Sequence, residues 1–297
     1  MNKPLLSIVI ANYNYGNYIE DALMSIFRQC GTSVVDDSGV AVLPIKGCKD
    51  LIEVIVCDAG STDSSLDIIK KYETKIAWWC SEKDKGQSEA FNKGFSHSRG
   101  YWLTWLNADD MYFRNVLLSF SKLVHRKPKA DWITSNQVFF DSSSSRIVSL
   151  NWGPHCQLPF IKGYRAYSAV YGPTSFISRH AYDEIGPIDE KMHFSMDTDY
   201  WARMTVAGIR QNRLNMPCWA FRIHRDSKTQ GVQDENIYSK RLYEHNYSVR
   251  KTGYTFRPSF RNPWYIMWVL WRVVDGSLIM RSIMKHKYDG KSILTFV

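Results

Sequence analysis

The run Trp105-Leu106-Asn107-Ala108-Asp109-Asp110 sets two adjacent carboxylates directly behind a hydrophobic stretch, 101–106, that reads as a buried strand. Burying an uncompensated carboxylate is costly. Two side by side at a strand end therefore need a cation, a cage of hydrogen-bond donors, or water. Hard divalent cations take carboxylate and phosphate oxygens together, so one chemistry for the pair is a metal site that grips a diphosphate. A solvated Asp-Asp turn, or an N-cap for a helix over 116–125, would use the same residues without any chemistry. The run alone leaves both readings open.

Other reactive side chains fall at comparable places. Asp58 ends a second hydrophobic run, Ile52-Glu53-Val54-Ile55-Val56-Cys57, and precedes Ala59-Gly60-Ser61-Thr62-Asp63. That turn suits a helix cap, and Asp63 reads as the capping residue. Lys83, Asp84, Lys85 and Gly86 form a charged turn before a helix, and helix N-termini and lysines both favour phosphate. Lys83 reads better as part of a charged surface loop, and Lys93 also fits a solvated helix position. Asp197 and Asp199 flank Thr198 at a helix start, where acids complement the helix dipole. His224 is a suitable transition-metal ligand when neutral, although an isolated histidine is commonly structural.

The elements that must position these groups alternate strand and helix. Strands are expected at 5–10, 52–57, 76–80 and 101–106. Helices fall between them, one carrying Ile19, Ala22, Leu23, Ile26 and Phe27 on a single face. Repeated β-α units imply a parallel sheet covered on both faces, with ligands at the carboxyl ends of its strands. Ala11, Asn12, Tyr13, Asp58 and Asp109 lie at or just past such ends and are expected to line one crevice. Residues 31–49 are longer than a usual connection and read as a surface loop or small hairpin. Further on, 138–150 reads as a hairpin, 175–178 as a strand, 198–207 as a helix, and 209–214 and 219–223 as two strands.

A chain of 297 residues with 44% hydrophobic and 23% charged residues has room for a sizeable core. Its formal charge of +9 favours anionic partners without choosing among them. The six cysteines include no C-x-x-C pair and read as free thiols of a reducing compartment, with Cys30 and Cys48 left open. Met1-Asn2-Lys3-Pro4 leads straight into the first strand, so the chain reads as cytoplasmic, in solution or at the inner face of the membrane.

Four segments in order resemble glycosyltransferase family 2, which has the GT-A fold. They are Ser7-Ile8-Val9-Ile10-Ala11-Asn12-Tyr13-Asn14, Cys57-Asp58-Ala59-Gly60-Ser61-Thr62-Asp63, Glu82-Lys83-Asp84-Lys85-Gly86-Gln87-Ser88-Glu89-Ala90-Phe91-Asn92-Lys93-Gly94, and 107–110. A fifth, Gly186-Pro187-Ile188-Asp189 through Met196-Asp197-Thr198-Asp199-Tyr200-Trp201-Ala202-Arg203, looks like the family's acceptor-side region. The resemblance implies an α/β GT-A domain over 1–228, with a nucleotide-binding half at about 1–112 and an acceptor half at about 113–228. Residues 229–297 then form a helical, basic, Trp-rich extension.

The same resemblance implies roles. Asp58 binds base or ribose, and Ala11, Asn12, Tyr13, Asp84, Gly86, Asn92, Asn107 and Ala108 complete the donor site. The family's Asp-x-Asp metal motif reads here as Asn107-Ala108-Asp109. Ligation of Mn²⁺ or Mg²⁺ therefore falls on Asp109, with His224 completing the shell and Asp110 a weaker ligand. Arg222 and Lys228 meet the diphosphate, and Pro173 and Thr174 border the acceptor. Asp197 is the general base, with Asp199 as runner-up. The implied reaction is inverting transfer of a sugar, from a UDP-sugar by preference, to a glycan or lipid-linked hydroxyl acceptor; nucleic acid is not an expected partner. A nucleotidyltransferase lacks support, because no G-x-x-x-x-G-K loop occurs. A non-catalytic binder of nucleotide-sugar or acidic polymer stays open. The tail over 261–287, with Trp264, Tyr265, Trp268 and Trp271 beside Arg272, Arg281, Lys285 and Lys287, suits either a bilayer interface or packing on the main domain.

Overall fold

The computed structural model describes residues 3–155, 170, 172–225, 227, 235–253 and 263–297. In chain order the first half contains β1 (Leu6–Asn12), α1 (Ile19–Phe27), β2 (Val34–Val35), β3 (Ala41–Pro44), β4 (Leu51–Asp58), α2 (Ser65–Lys71), β5 (Trp78–Ser81), α3 (Gln87–His97), β6 (Trp102–Asn107) and β7 (Met111–Tyr112). There follow α4 (Val116–Arg126), β8 (Trp132–Asp141), β9 (Ile147–Asn151), β10 (Ser175–Ser178), α5 (Arg179–Ile185), α6 (Met196–Val206) and β11 (Gln211–Ile223). The chain closes with α7 (Glu235–Thr252), α8 (Pro263–Val274) and α9 (Ser277–Tyr288).

β1 lies between β4 and β6, parallel to both, and β5 runs parallel to the C-terminal half of β4. These strands read as unbroken hydrophobic runs because both faces are covered. Ile8 and Ile10 of β1 point into one core with α1 and α4, whereas Val9 and Ala11 point into a second core with α3 and α6. The registers align the carboxyl ends: Asn12 sits opposite Asp58, Ala11 opposite Asn107, and Asp58 opposite Ser81. The expected row of polar side chains at one sheet edge is therefore present.

The second half departs from simple alternation. β10 inserts antiparallel between β6 and β8, β11 runs parallel to β8, and β7 pairs antiparallel with β11. The two strands expected at 209–214 and 219–223 are one strand, β11, whose register shifts around Pro217. Proline has no N–H to give the ladder, so the strand bulges there rather than ending. The segment over 31–49 forms the hairpin β2–β3, and β3 joins the sheet at β4. Cys30, Cys48, Cys57, Cys80 and Cys218 are free thiols; Cys156 lies outside the described residues.

The C-terminal segment is built into this body. α7 and α9 pack on α6 and β9 respectively, and Tyr288, Ile293 and Val297 are buried in the first core. Arg114 donates through its backbone N to Phe296 O at 2.8 Å and through Nε to Val297 O at 2.9 Å. No helix among the described residues is long and apolar enough to cross a membrane.

Gly94 marks the closest approach of α3 to β1. A Cβ there would lie 2.2 Å from Val9 Cγ1. Gly94→Ala is expected to cost about 1–3 kcal/mol through overpacking, read as a lower urea midpoint with an unchanged denaturant slope.

Candidate active site

The pairing of β7 with β11 brings the C-terminal end of β11 against Asp109 and Asp110, more than a hundred residues earlier in the chain. Arg222 donates its backbone N–H to Asp110 Oδ1 at 2.9 Å and its Nε–H to Asp109 O at 2.8 Å. Its Nη2 reaches Asp21 Oδ2 of α1 at 2.7 Å. The guanidinium lies between the rings of Tyr18 and Phe140 and is almost fully buried. Asn107 donates from Nδ2 to Asp110 Oδ2 at 2.8 Å, and Gln87 Nε2 donates to Asn107 Oδ1 at 2.7 Å.

The two carboxylates divide the work. Both oxygens of Asp110 are engaged, and it lines no part of the cleft. Burial, reinforced by the neighbouring Asp109, pushes its acid well above the usual carboxylate range. Asp110 is thus a buried organiser rather than a weaker cation ligand. Asp109 instead reaches the cleft, and its Oδ2 lies 3.0 Å from His224 Nε2. The imidazole packs against Tyr15 and Tyr18, and its Nδ1 is buried with no hydrogen-bond partner among the described residues.

One carboxylate and one imidazole converging at this distance are donors suited to Mn²⁺. No group of three His, Cys, Asp or Glu side chains that could hold a metal occurs among the described residues. A cation at Asp109 and His224 would therefore take the rest of its oxygens from the diphosphate and water.

A cavity of about 560 Å³ joins the strand ends to the acceptor half. Ala11, Asn12, Tyr13, Asp84, Gly86, Asn107, Asp109, Pro173 and Asp197 all line it, as their sequence positions imply. Several other expected site residues are placed elsewhere. Asp58 is buried, its carboxylate holding Asn12 Nδ2 at 2.7 Å, Ser81 Oγ at 2.6 Å and the backbone N–H groups of Gly60 and Ser61. In this geometry it orders the loop that shapes the crevice. Asn92 faces the acceptor half, bonding Ile188 O and N and Glu190. Ala108 and Thr174 are buried beside the cleft, and Arg222 is occupied as described. Lys228 lies outside the described residues.

The acidic pair on α6 separates in the same way. Asp197 is half-buried in the cavity wall and accepts Thr198 N–H at 2.7 Å. Burial raises its pKa above the usual carboxylate value, and the nearby Arg241 of α7 partly opposes that shift. Asp199 is fully buried on the other side of α6, paired with Arg203 Nε at 3.0 Å and Lys251 Nζ at 3.3 Å. It ties α6 to α7 and is not an alternative base, because helix geometry turns residues two apart to different faces.

Sequence reading missed what α7 does. Glu244 is 4% exposed, and its carboxylate accepts three consecutive backbone N–H groups at the start of α6: His193 at 2.8 Å, and Phe194 and Ser195 at 2.9 Å. His193, Phe194 and Ser195 all line the cavity, as do Gln87, Tyr15 and Arg241. Glu244 lies in a polar helix with no motif of its own, so nothing in its sequence neighbourhood marked it.

A mixed sheet of this topology, with a cleft at the carboxyl ends of its parallel strands, is the architecture of a GT-A domain. The chain belongs to glycosyl transferase family 2, whose family model matches residues 7–186. An uncharacterized glycosyltransferase of Rickettsia typhi is 25% identical over 215 residues, which are 67% of this chain and 58% of the relative. The chain therefore spans little more than half of that relative's length. One from Methanocaldococcus jannaschii is 23% identical over 285 residues, covering 94% of this chain and 88% of its own.

Among solved structures, TarS 1-349 of S. aureus in complex with UDP-GlcNAc superposes with a TM-score of 0.60 at 15% identity, covering 84% of this chain and 68% of that one. The mannosyltransferase PcManGT of Pyrobaculum calidifontis, in complex with GDP-Man and Mn²⁺, gives 0.52 at 13% identity, covering 96% and 81%. These likenesses show that the fold is GT-A.

Glu244→Ala leaves three N–H groups without their acceptor. It is expected to lower stability by about 1–3 kcal/mol and to speed hydrogen exchange at the 193–195 amides at least about tenfold, while β1 and β4 amides keep their protection.

Proposed function

We propose that this protein transfers a sugar from a nucleotide-sugar, a UDP-sugar by preference, to a hydroxyl of a glycan or lipid-linked acceptor, with inversion at the anomeric carbon. The observation that carries this reading is the shared cavity. Asp109, just past the end of β6, and Asp197, on α6, face one space large enough for a small-molecule ligand. The donor complexes of the similarly folded TarS and PcManGT support the same assignment.

In this reading Asn12, Asp84, Gly86 and Asn107 border the donor. Asp84 donates nothing when ionised; it accepts Gly86 N–H at 2.8 Å and so shapes the loop below α3. Asp109 and His224 would hold a divalent cation, Mn²⁺ or Mg²⁺, whose charge offsets that of the departing diphosphate. Asp197 removes the proton from the acceptor hydroxyl as the oxygen attacks, and the raised pKa makes its carboxylate a stronger base. A single displacement from the face opposite the leaving group inverts the centre and needs no enzyme nucleophile. A glycan or lipid-linked acceptor is consistent with a site at the inner face of the membrane.

Asp197→Asn is expected to reduce transfer by about 10²–10⁴-fold while leaving donor affinity, read by calorimetry, within about twofold. Retention of wild-type turnover would remove Asp197 as base. Because the folded-state pKa of Asp197 is raised, the active carboxylate is lost as pH falls through it. The acid limb of the transfer rate should therefore lie above the pH of an ordinary aspartate and vanish in Asp197→Asn. EDTA should abolish release of nucleoside diphosphate, restored by Mn²⁺, and Asp109→Ala should make that release insensitive to added metal. Donor binding with no turnover across a panel of nucleotide-sugars and acceptors would instead favour a non-catalytic binder.

A further inference from the structure

α8 and α9 form a helical hairpin joined at Asp275 and Gly276, with Gly276 in the left-handed region (φ 74°). One side of the hairpin is committed to the protein. Trp268 is buried, the guanidinium of Arg272 stacks 4.8 Å from its ring, and Arg272 Nη2 donates to Trp152 O at 2.7 Å. His155 N–H donates to Asp275 at 2.9 Å, while Met280, Met284 and Tyr288 of α9 pack on the first core. Trp268, one of four aromatics that suit either a bilayer or packing on the main domain, therefore faces inward.

The other side carries aliphatic residues into solvent. Ile266, Leu270, Val273 and Val274 recur at helical spacing along one face of α8, and Ile279 and Ile283 do so on α9. Leu270 is 57% exposed, Val274 76% and Ile279 65%. Burial does not explain this pattern, because these are the residues a core would take first. A contiguous apolar surface on a folded chain marks an interaction site.

Charge chooses the partner. Arg281, Lys285, His286 and Lys287 are exposed on α9, and no acid occurs between 276 and 288. An aliphatic stripe bordered by basic side chains matches the interface of an anionic bilayer, where apolar groups enter the acyl boundary and cations meet phosphate headgroups. A helix of twelve residues spans only about 18 Å, short of the ~30 Å hydrocarbon core, so α8 and α9 lie along the surface rather than across it.

We propose that the exposed faces of α8 and α9 together dock this protein on an anionic membrane. The inference builds on the proposed function by naming where a lipid-linked acceptor would be met, but it stands on different residues from those of the cavity.

The test is flotation of the full chain with vesicles of phosphatidylcholine containing 30–40% phosphatidylglycerol (about that fraction suffices for a surface potential), against pure phosphatidylcholine. Wild type is expected to float with the anionic vesicles and to be largely released by high salt. Leu270→Asp with Ile279→Asp should cut binding at least about tenfold, and Lys285→Glu with Lys287→Glu should cut it on anionic vesicles alone. Both double variants alter exposed residues, and unchanged circular dichroism and melting confirm their folds. Donor-dependent release of nucleoside diphosphate in vesicle-free solution should be the same in all three proteins.

Failure of the wild type to bind anionic vesicles overturns the docking face. So does a concentration-dependent dimer, by light scattering, that Leu270→Asp with Ile279→Asp converts to monomer, since the occupant is then a second copy. Vesicle binding without nucleotide release in any protein would sink the transferase reading and leave the docking face standing. Release without vesicle binding would do the reverse.

Discussion

The site depends on how a buried guanidinium is held. The Arg222 guanidinium donates to the backbone carbonyl of Asp109 and the carboxylate of Asp21 at once, its backbone N–H donates to the carboxylate of Asp110, and two aromatic rings sandwich it. Removing charges from water is repaid only when geometry and hydrogen bonds are nearly complete. Here the contacts come from the turn between β6 and β7, from α1 with its N-cap Tyr18, and from Phe140 of β8. The arrangement forces Asp110 inward, where its oxygens are saturated, and leaves Asp109 facing the cavity beside His224. One carboxylate is enclosed in the structure while its neighbour faces the cavity.

The acceptor side uses the same device with different partners. Asp197 and Asp199 are separated by one residue, yet one lines the cavity and the other is locked between Arg203 and Lys251. α7 supplies Lys251, Arg241 and Glu244, so three of its side chains act on α6 or on the turn before it. The C-terminal segment is consequently part of the site's support. Its last residues also return to the core beside Arg114. The outward faces of α8 and α9 carry aliphatic side chains into solvent.

The strand-end residues were legible because their signal is local. A hydrophobic run that stops at a carboxylate, repeated at 52–58 and 101–110, places those acids at the carboxyl edge of a parallel sheet whatever the rest of the chain does. The reading was weaker wherever a side chain's direction mattered. Asp58 and Asn92 lie in the right segments, but tertiary hydrogen bonds turn both away from the cavity. The break at Pro217 looked like a strand end because a missing N–H and a bulge have the same local signature.

From the sequence alone came the fold class and the crevice at the strand ends, with Asp109 and Asp197 both on its wall, all carried by residues within a few positions of an element's end. The tertiary structure alone decided which acids are saturated, which helix holds the turn before α6, and which face of the hairpin meets solvent. Those outcomes depend on pairings such as β7 with β11 and Glu244 with 193–195, between segments about fifty to more than a hundred residues apart. Long-range contacts of that kind leave no periodicity in the chain, since each is set by the summed packing of a whole sheet rather than by its neighbours in sequence.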